Sequence, residues 1–179
     1  IGNAFPQVRM IDADWIDRGT EDIRNNIQFV VYALAVEQEK QARDHDYLMF
    51  LDIDEFWTPK DMQCCVQDVL NELPEAPAYC FGWLNEHGHS SPFSGLQQVT
   101  QGQISPLVKT LFSVKTDVLE VALHLPRFKD AEVVMADKLS FVPAADNREC
   151  MHPELVKLRD VMIINRMFRS QVEYVSLLN

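Results

Sequence analysis

The eleven residues from Tyr47 to Trp57 constrain the chain most, because an unbroken apolar run, Tyr47-Leu48-Met49-Phe50-Leu51, ends abruptly in Asp52-Ile53-Asp54-Glu55 and is closed by Phe56-Trp57. A run without polar alternation suits a strand buried on both faces, as in the parallel sheets of α/β proteins. Ligands collect at the carboxyl ends of such strands. Side chains two apart on a strand project to one side, so Asp52 and Asp54 are expected to aim together beyond the sheet edge. At about 6 Å and an effective dielectric of about 20, two such carboxylates repel by roughly 3 kcal/mol, which a divalent cation removes. The alternatives are that one acid stays protonated, or that both stand in water at a strand end.

The rest of the chain supplies the elements that hold such a strand. Ile23, Ile27, Val30 and Leu34 recur at helical spacing with no Gly or Pro between them, which predicts one helix from Glu21 to about Arg43 with that stripe inward. Thr58-Pro59-Lys60-Asp61 offers an N-cap hydroxyl, a proline at the first helical position and a first-turn acid. Met62, Val66, Val69 and Leu73 carry that second predicted helix to Pro74. Val8–Ile11 and Tyr79–Leu84 read as strands, giving the alternation of a mainly parallel sheet flanked by helices. Asn85–Gly102 reads as a long binding loop. Leu107–Val114 and Val118–Leu125 are expected to pair, Ala131–Phe141 and Val156–Ile164 are further strand candidates, and Ser170–Leu178 reads as a terminal helix.

Composition excludes several functions. With 16 Lys and Arg against 27 Asp and Glu, the formal charge of −11 opposes extended contact with nucleic acid or an anionic membrane. The longest apolar stretch, Phe29–Val36, is far short of the ~20 residues that cross a bilayer, so no transmembrane segment is expected. Cys64, Cys65, Cys80 and Cys150 lack chelating spacing and are expected as reduced, mostly buried thiols in a cytoplasmic protein. One domain spanning residues 1–179, truncated at its start, is the expected organisation.

Several segments together resemble a family. Leu51-Asp52-Ile53-Asp54-Glu55-Phe56 corresponds to the D-x-D-E-F metal motif of GT-A-type glycosyltransferases of the broad family-two kind, and Gly82-Trp83-Leu84-Asn85 through Gly88-His89 is similar to their W-x-x-F-G-x-x-G-H segment. Val108-Lys109-Thr110 resembles a later V-K-T strand, His124-Leu125-Pro126 the histidine after it, and Ile164 to Ser170 with Glu173-Tyr174 the I-N-H-Y-x-x-K-S-x-E-E ending. The resemblance implies a GT-A-like, Rossmann-like α/β fold with a more irregular β-rich C-terminal half. It also implies transfer of a sugar from a nucleotide-sugar donor to a carbohydrate or other hydroxyl acceptor, by an inverting route.

On that resemblance, Asp54 holds Mn²⁺ or Mg²⁺, and Asp52 either joins it or bonds the donor's ribose. Glu55, Trp83, Lys109, His124 and Arg166 are expected to bind donor or acceptor, with Glu86 and His89 as candidate bases. Each has a plainer reading: Lys109 as a snorkelling edge residue, Trp83 and His124 as core, Glu86, His87 and His89 as exposed polar side chains. Arg166 stands where the family has histidine, and a guanidinium cannot coordinate a metal; it either pairs with a diphosphate or marks an inactive copy. The competing functions are a haloacid-dehalogenase-like phosphatase, which also places D-x-D after an apolar strand, and a domain that binds a sugar nucleotide or glycan without turnover.

Overall fold

The computed structural model describes residues 11–87, 94–96 and 99–166, together with Val172 and Ser176. The predicted strand at Val8–Ile11 and the predicted terminal helix fall almost wholly outside these residues. After a 3₁₀ turn at Asp14–Arg18, the first predicted helix forms as two: α1 (Glu21–Asn25), capped by the Thr20 hydroxyl, which accepts from the Ile23 amide, and α2 (Ile27–Ala42). They meet at Asn26, whose backbone is not helical (φ −117°, ψ 25°). The predicted stripe does not form one inward face: Ile23 and Val30 are half-buried and the other two members are exposed. Ile27 and Leu34 are 43% and 46% exposed, whereas Val36 is buried and Tyr32 stacks on Phe50 with ring centroids 4.0 Å apart. Apart from Gln28, the residues from Ile27 to Val36 are all apolar or aromatic, so periodicity there could not select the inner face.

Among the described residues eight strands follow in chain order: β1 (Tyr47–Met49), β2 (Glu55–Pro59), β3 (Ala78–Glu86), β4 (Gly102–Ser113), β5 (Val118–Glu120), β6 (Arg127–Phe128), β7 (Val133–Met135) and β8 (Val161–Asn165). Five of them line up as β1-β4-β3-β8-β2, while β7 pairs with β3; β5 and β6 form a separate two-stranded ribbon. The expected mainly parallel sheet is therefore corrected to a mixed, strongly curled one. β1–β4, β3–β4 and β2–β8 are antiparallel, and β7 and β8 run parallel to successive halves of β3, at Ala78–Cys80 and Gly82–Asn85. The class is α/β, with few helices. Val118–Glu120 pairs with Arg127–Phe128 rather than with β4, because the intervening chain turns back on itself.

The apolar run is also not the central strand it resembles. β1 lies at the sheet edge and only its first three residues pair. Its apolarity on both sides is nonetheless used: Tyr47 and Met49 pack with Tyr79, Phe81, Leu111 and Ile163 on one face, while Leu48 and Phe50 pack with Val36, Ala78 and Phe112 on the other. Cover on two faces, rather than two neighbouring strands, accounts for the pattern. A third cluster, Cys80, Val108, Leu125, Met135 and Met151, extends the second face.

The second predicted helix begins later than expected. Thr58-Pro59 ends β2 at the opposite sheet edge, where a residue without an N–H is tolerated, and α3 spans Val66–Glu72 with the Asp68 carboxylate accepting from the Cys65 amide. Val69, Leu70 and Leu73 lay α3 on the first core face. All four cysteines are free; Cys64 and Cys65 are exposed rather than buried. Among the described residues no helix is long and apolar enough to cross a membrane.

Candidate functional site

The strand directions bring the polar residues to one end of the sheet. β1, β3 and β8 run the same way, and each apolar stretch stops at a polar residue: Asp52 just beyond β1, Asn85-Glu86 on β3, Asn165-Arg166 on β8. Because β1 and β2 occupy opposite edges, Phe50–Asp54 must pass over the ends of the strands between them. Four strand gaps of about 4.8 Å are too far for a stretch that contains a turn, so the curl of the sheet is what lets so few residues close it.

That turn is built reciprocally. The Glu55 amide donates to the Asp52 carbonyl oxygen (3.0 Å), and the Asp52 amide donates to Glu55 Oε2 (2.9 Å). Ile53 at its apex is 92% exposed. The Arg166 amide donates to the Asp54 carbonyl oxygen (2.9 Å), tying the turn to the end of β8. Asp52, whose side chain is 45% exposed, accepts from Gln28 Nε2 on α2 at 3.0 Å through Oδ1 and lies 3.5 Å from Lys109 Nζ through Oδ2.

Lys109 is no edge residue. It stands in the middle of β4 opposite Phe81, its side chain is 1% exposed, and its ammonium reaches Glu55 Oε2, equally buried, at 2.9 Å. Burial pushes the Glu55 carboxyl above its ordinary range, against the opposing pull of the Asp52 amide and Lys109. The same ammonium lies 5.9 Å from the Trp83 ring, and Trp83 meets His124 edge-on at 4.9 Å. Since a carbonyl oxygen only accepts, the 3.1 Å contact from His124 Nδ1 to the Val108 oxygen fixes the proton on Nδ1. Burial, helped by Lys109, holds this imidazole below its ordinary pKa, which keeps it neutral. Asp52, Glu55, Lys109, Trp83 and His124, singled out in separate segments of the sequence, thus form one contiguous chain of contacts.

Arg166 and Glu86 form a second cluster, and here two expectations change. Arg166 Nε lies 3.1 Å from Glu86 Oε2, with the Glu86 side chain 3% exposed, and Arg166 Nη1 donates to the Ser94 carbonyl oxygen at 2.6 Å. The guanidinium expected at a diphosphate is therefore engaged by a buried carboxylate, and the carboxylate expected as a base is engaged by a guanidinium. The Asn85–Gly102 loop is shorter than expected, because Asn85 and Glu86 still belong to β3. His89, Glu173 and Tyr174 lie outside the described residues.

Sequence reasoning passed over Asn85 and Asn165. Glu55, Asn165 and Asn85 are register partners across β2, β8 and β3, and Trp57, Ile163 and Trp83 form the same-face row two residues deeper. Glu55 Oε1, Asn165 Oδ1, Asn85 Oδ1 and both indole Nε1 atoms are buried without a hydrogen-bond partner. So much unsatisfied polarity in two adjacent rows is unusual for a core and expected at a site. The available signal was an apolar strand ending in Asn, twice, just as β1 is followed by Asp52.

The donor set of the turn suits a hard cation. Asp52 and Asp54 offer carboxylate oxygens only, and Mg²⁺ or Mn²⁺ characteristically takes one or two of these, filling its shell with water and substrate phosphates. Among the described residues no three His, Cys, Asp or Glu converge on one point, so a cation here needs ligands from elsewhere. Comparison with known proteins adds no further assignment: no family model, no curated protein and no solved structure matches the chain.

Proposed function

We propose that the carboxyl end of this sheet binds a nucleotide-sugar donor through a divalent cation and transfers the sugar to a hydroxyl acceptor. The observation that carries this reading is the acidic turn itself, held across the ends of β3, β4 and β8 by Lys109 and by the Arg166 amide. On this reading Asp54 is the cation ligand, carried on a turn that backbone and carboxylate hydrogen bonds hold in place. A cation bound there supplies Lewis-acid relief of the negative charge that gathers on a departing diphosphate. Asp52, with Gln28 on one oxygen and Lys109 near the other, is better suited to orienting a ribose hydroxyl than to wrapping a metal. Trp83 and His124 wall the site from beneath. With Glu86 engaged by Arg166, the proton-accepting role passes to His124, whose Nε2 is unprotonated in the neutral Nδ1–H form.

The test is thermal unfolding with UDP- and GDP-sugars, with and without Mn²⁺, on the wild type and on Asp54→Ala. A donor at about one hundred times its dissociation constant stabilises by about 2.7 kcal/mol, and only when metal is present. Stabilisation that survives in Asp54→Ala, or that needs no metal, refutes the reading; stabilisation by beryllium fluoride alone replaces it with phosphoryl chemistry. One observation favours a second reading, binding without transfer: the Glu86–Arg166 pair removes a carboxylate from service. Donor-dependent stabilisation with no released nucleotide would select it.

A further inference from the structure

We propose that Asn85 and Asn165 form a hydroxyl-binding subsite beside the acidic turn, where they hold a vicinal diol of the acceptor. The inference deepens the transfer reading above and rests on it for the acceptor's role.

Asn85 and Asn165 are register partners near the ends of β3 and β8, so their side chains leave the same face of the sheet, one strand spacing of about 4.8 Å apart. Glu55 on β2 is the next register partner. The Arg166 amide, one residue on from Asn165, donates to the Asp54 carbonyl oxygen at 2.9 Å, which sets the pair alongside the turn. The row grades inward, from half-buried Asn85 to Asn165 and Glu55 at 6% and 5% exposure, so a ligand enters past Asn85.

The unpartnered atoms of this region are of both kinds. Asn85 Oδ1, Asn165 Oδ1 and Glu55 Oε1 accept, while the Trp57 and Trp83 indoles donate. An ammonium ligand would pair the oxygens and leave the indoles orphaned; a phosphate would do the reverse and face the Glu55 carboxylate. Hydroxyls donate and accept, so they answer the whole set, and two adjacent carboxamides suit two adjacent hydroxyls. Buried polar groups without partners destabilise the free protein, which makes these asparagines a liability to the fold until a ligand pairs them.

Nitrogen-15 NMR reads the proposal directly, because the side-chain amides of both asparagines and all three tryptophan indoles are visible. The probes are the methyl glycosides of glucose, galactose and mannose at up to about 50 mM, which reaches millimolar dissociation constants. Each is added alone and with Mn²⁺ and UDP or GDP. At least one should shift the Asn85 and Asn165 amides and the Trp83 indole, leaving the indole of Trp15, 43% exposed, unmoved. The same glycoside permethylated keeps its oxygens but has no hydroxyl proton, and should not bind. Asn85→Leu and Asn165→Leu, similar in size to the wild type, should each weaken binding about tenfold or more and leave the urea midpoint unchanged or raised. No shift with any glycoside, equal binding of the permethylated form, or unaltered affinity in either variant overturns the proposal. So does a lowered urea midpoint or a lost fold in either variant, which makes that asparagine a structural residue. Donor binding is scored separately. Mn²⁺-dependent stabilisation by a nucleotide sugar without glycoside shifts sinks this subsite alone, whereas glycoside shifts without donor stabilisation sink the transfer reading and leave a carbohydrate-binding subsite.

Discussion

Lys109→Met is the most informative perturbation of folding, because it leaves Glu55 in place as a charge with 1% of its side chain exposed. In the variant only the Asp52 amide still supports Glu55 Oε2, and Glu55 Oε1 has no partner to begin with. Breaking a buried pair by removing one member typically costs about 3–5 kcal/mol, a large share of a total stability of about 5–15 kcal/mol. The Asp52 contact adds little, since that carboxylate is half exposed. Glu55 has one escape, which is to take a proton. Its carboxyl is already raised above the ordinary value by burial, and loss of Lys109 raises it further. A carboxyl raised in the folded state is at its most favourable below its unfolded pKa and loses stability as pH climbs through the folded one. The deficit relative to wild type should therefore be small near pH 5 and approach its full size near pH 8, with a slope of at most about 1.4 kcal/mol per pH unit. Urea unfolding followed by tryptophan fluorescence at both pH values measures it. An equal deficit at both would refute the buried-pair account, as would a double variant with Glu55→Gln that recovers none of the loss.

Two further outcomes follow from local geometry. In a proton NMR titration His124 should titrate below the ordinary imidazole range, because of burial and Lys109, while exposed His45 should titrate above it through its 2.9 Å contact with Glu39; the reverse order would contradict the placement of both. Gly102→Ala should destabilise the fold by about 1–3 kcal/mol in urea, because a Cβ there would lie 2.4 Å from the Asn85 carbonyl oxygen on the neighbouring strand, and a neutral result would mean that β3 and β4 can part at no cost.

What the sequence made legible depended on whether the governing interaction was local. Tyr79–Leu84 and Leu107–Val114 were visible as strands because apolar residues dominate both, and both lie inside the sheet. The helix before β1 was visible, but not its inward face, since Phe29, Val31 and Leu34 are as apolar as Val36. Strand direction was not legible: a run covered on both faces reads the same whether it is central and parallel or, like β1, an antiparallel edge beneath α2. At the site, the acids announced themselves by interrupting an apolar run. The partners of those acids did not, because Lys109 lies 54 residues (109 − 55) along the chain from Glu55, and nothing short of the combined β2–β8–β3–β4 register places its ammonium there. The pairing of Glu86 with Arg166 is hidden for the same reason.

The passage of Phe50–Asp54 from one sheet edge to the other has a consequence for how this protein comes to work. β2 follows β1 directly in the chain, yet its hydrogen-bonding neighbour, β8, is among the last strands made. Pairings so distant along the chain form late, after the entropy of closing a long loop has been met. A nascent chain halted before Val161 would thus carry every acid of the turn and still lack the partner strand that holds Glu55 in register, so competence at this end of the sheet arrives only with the completed fold.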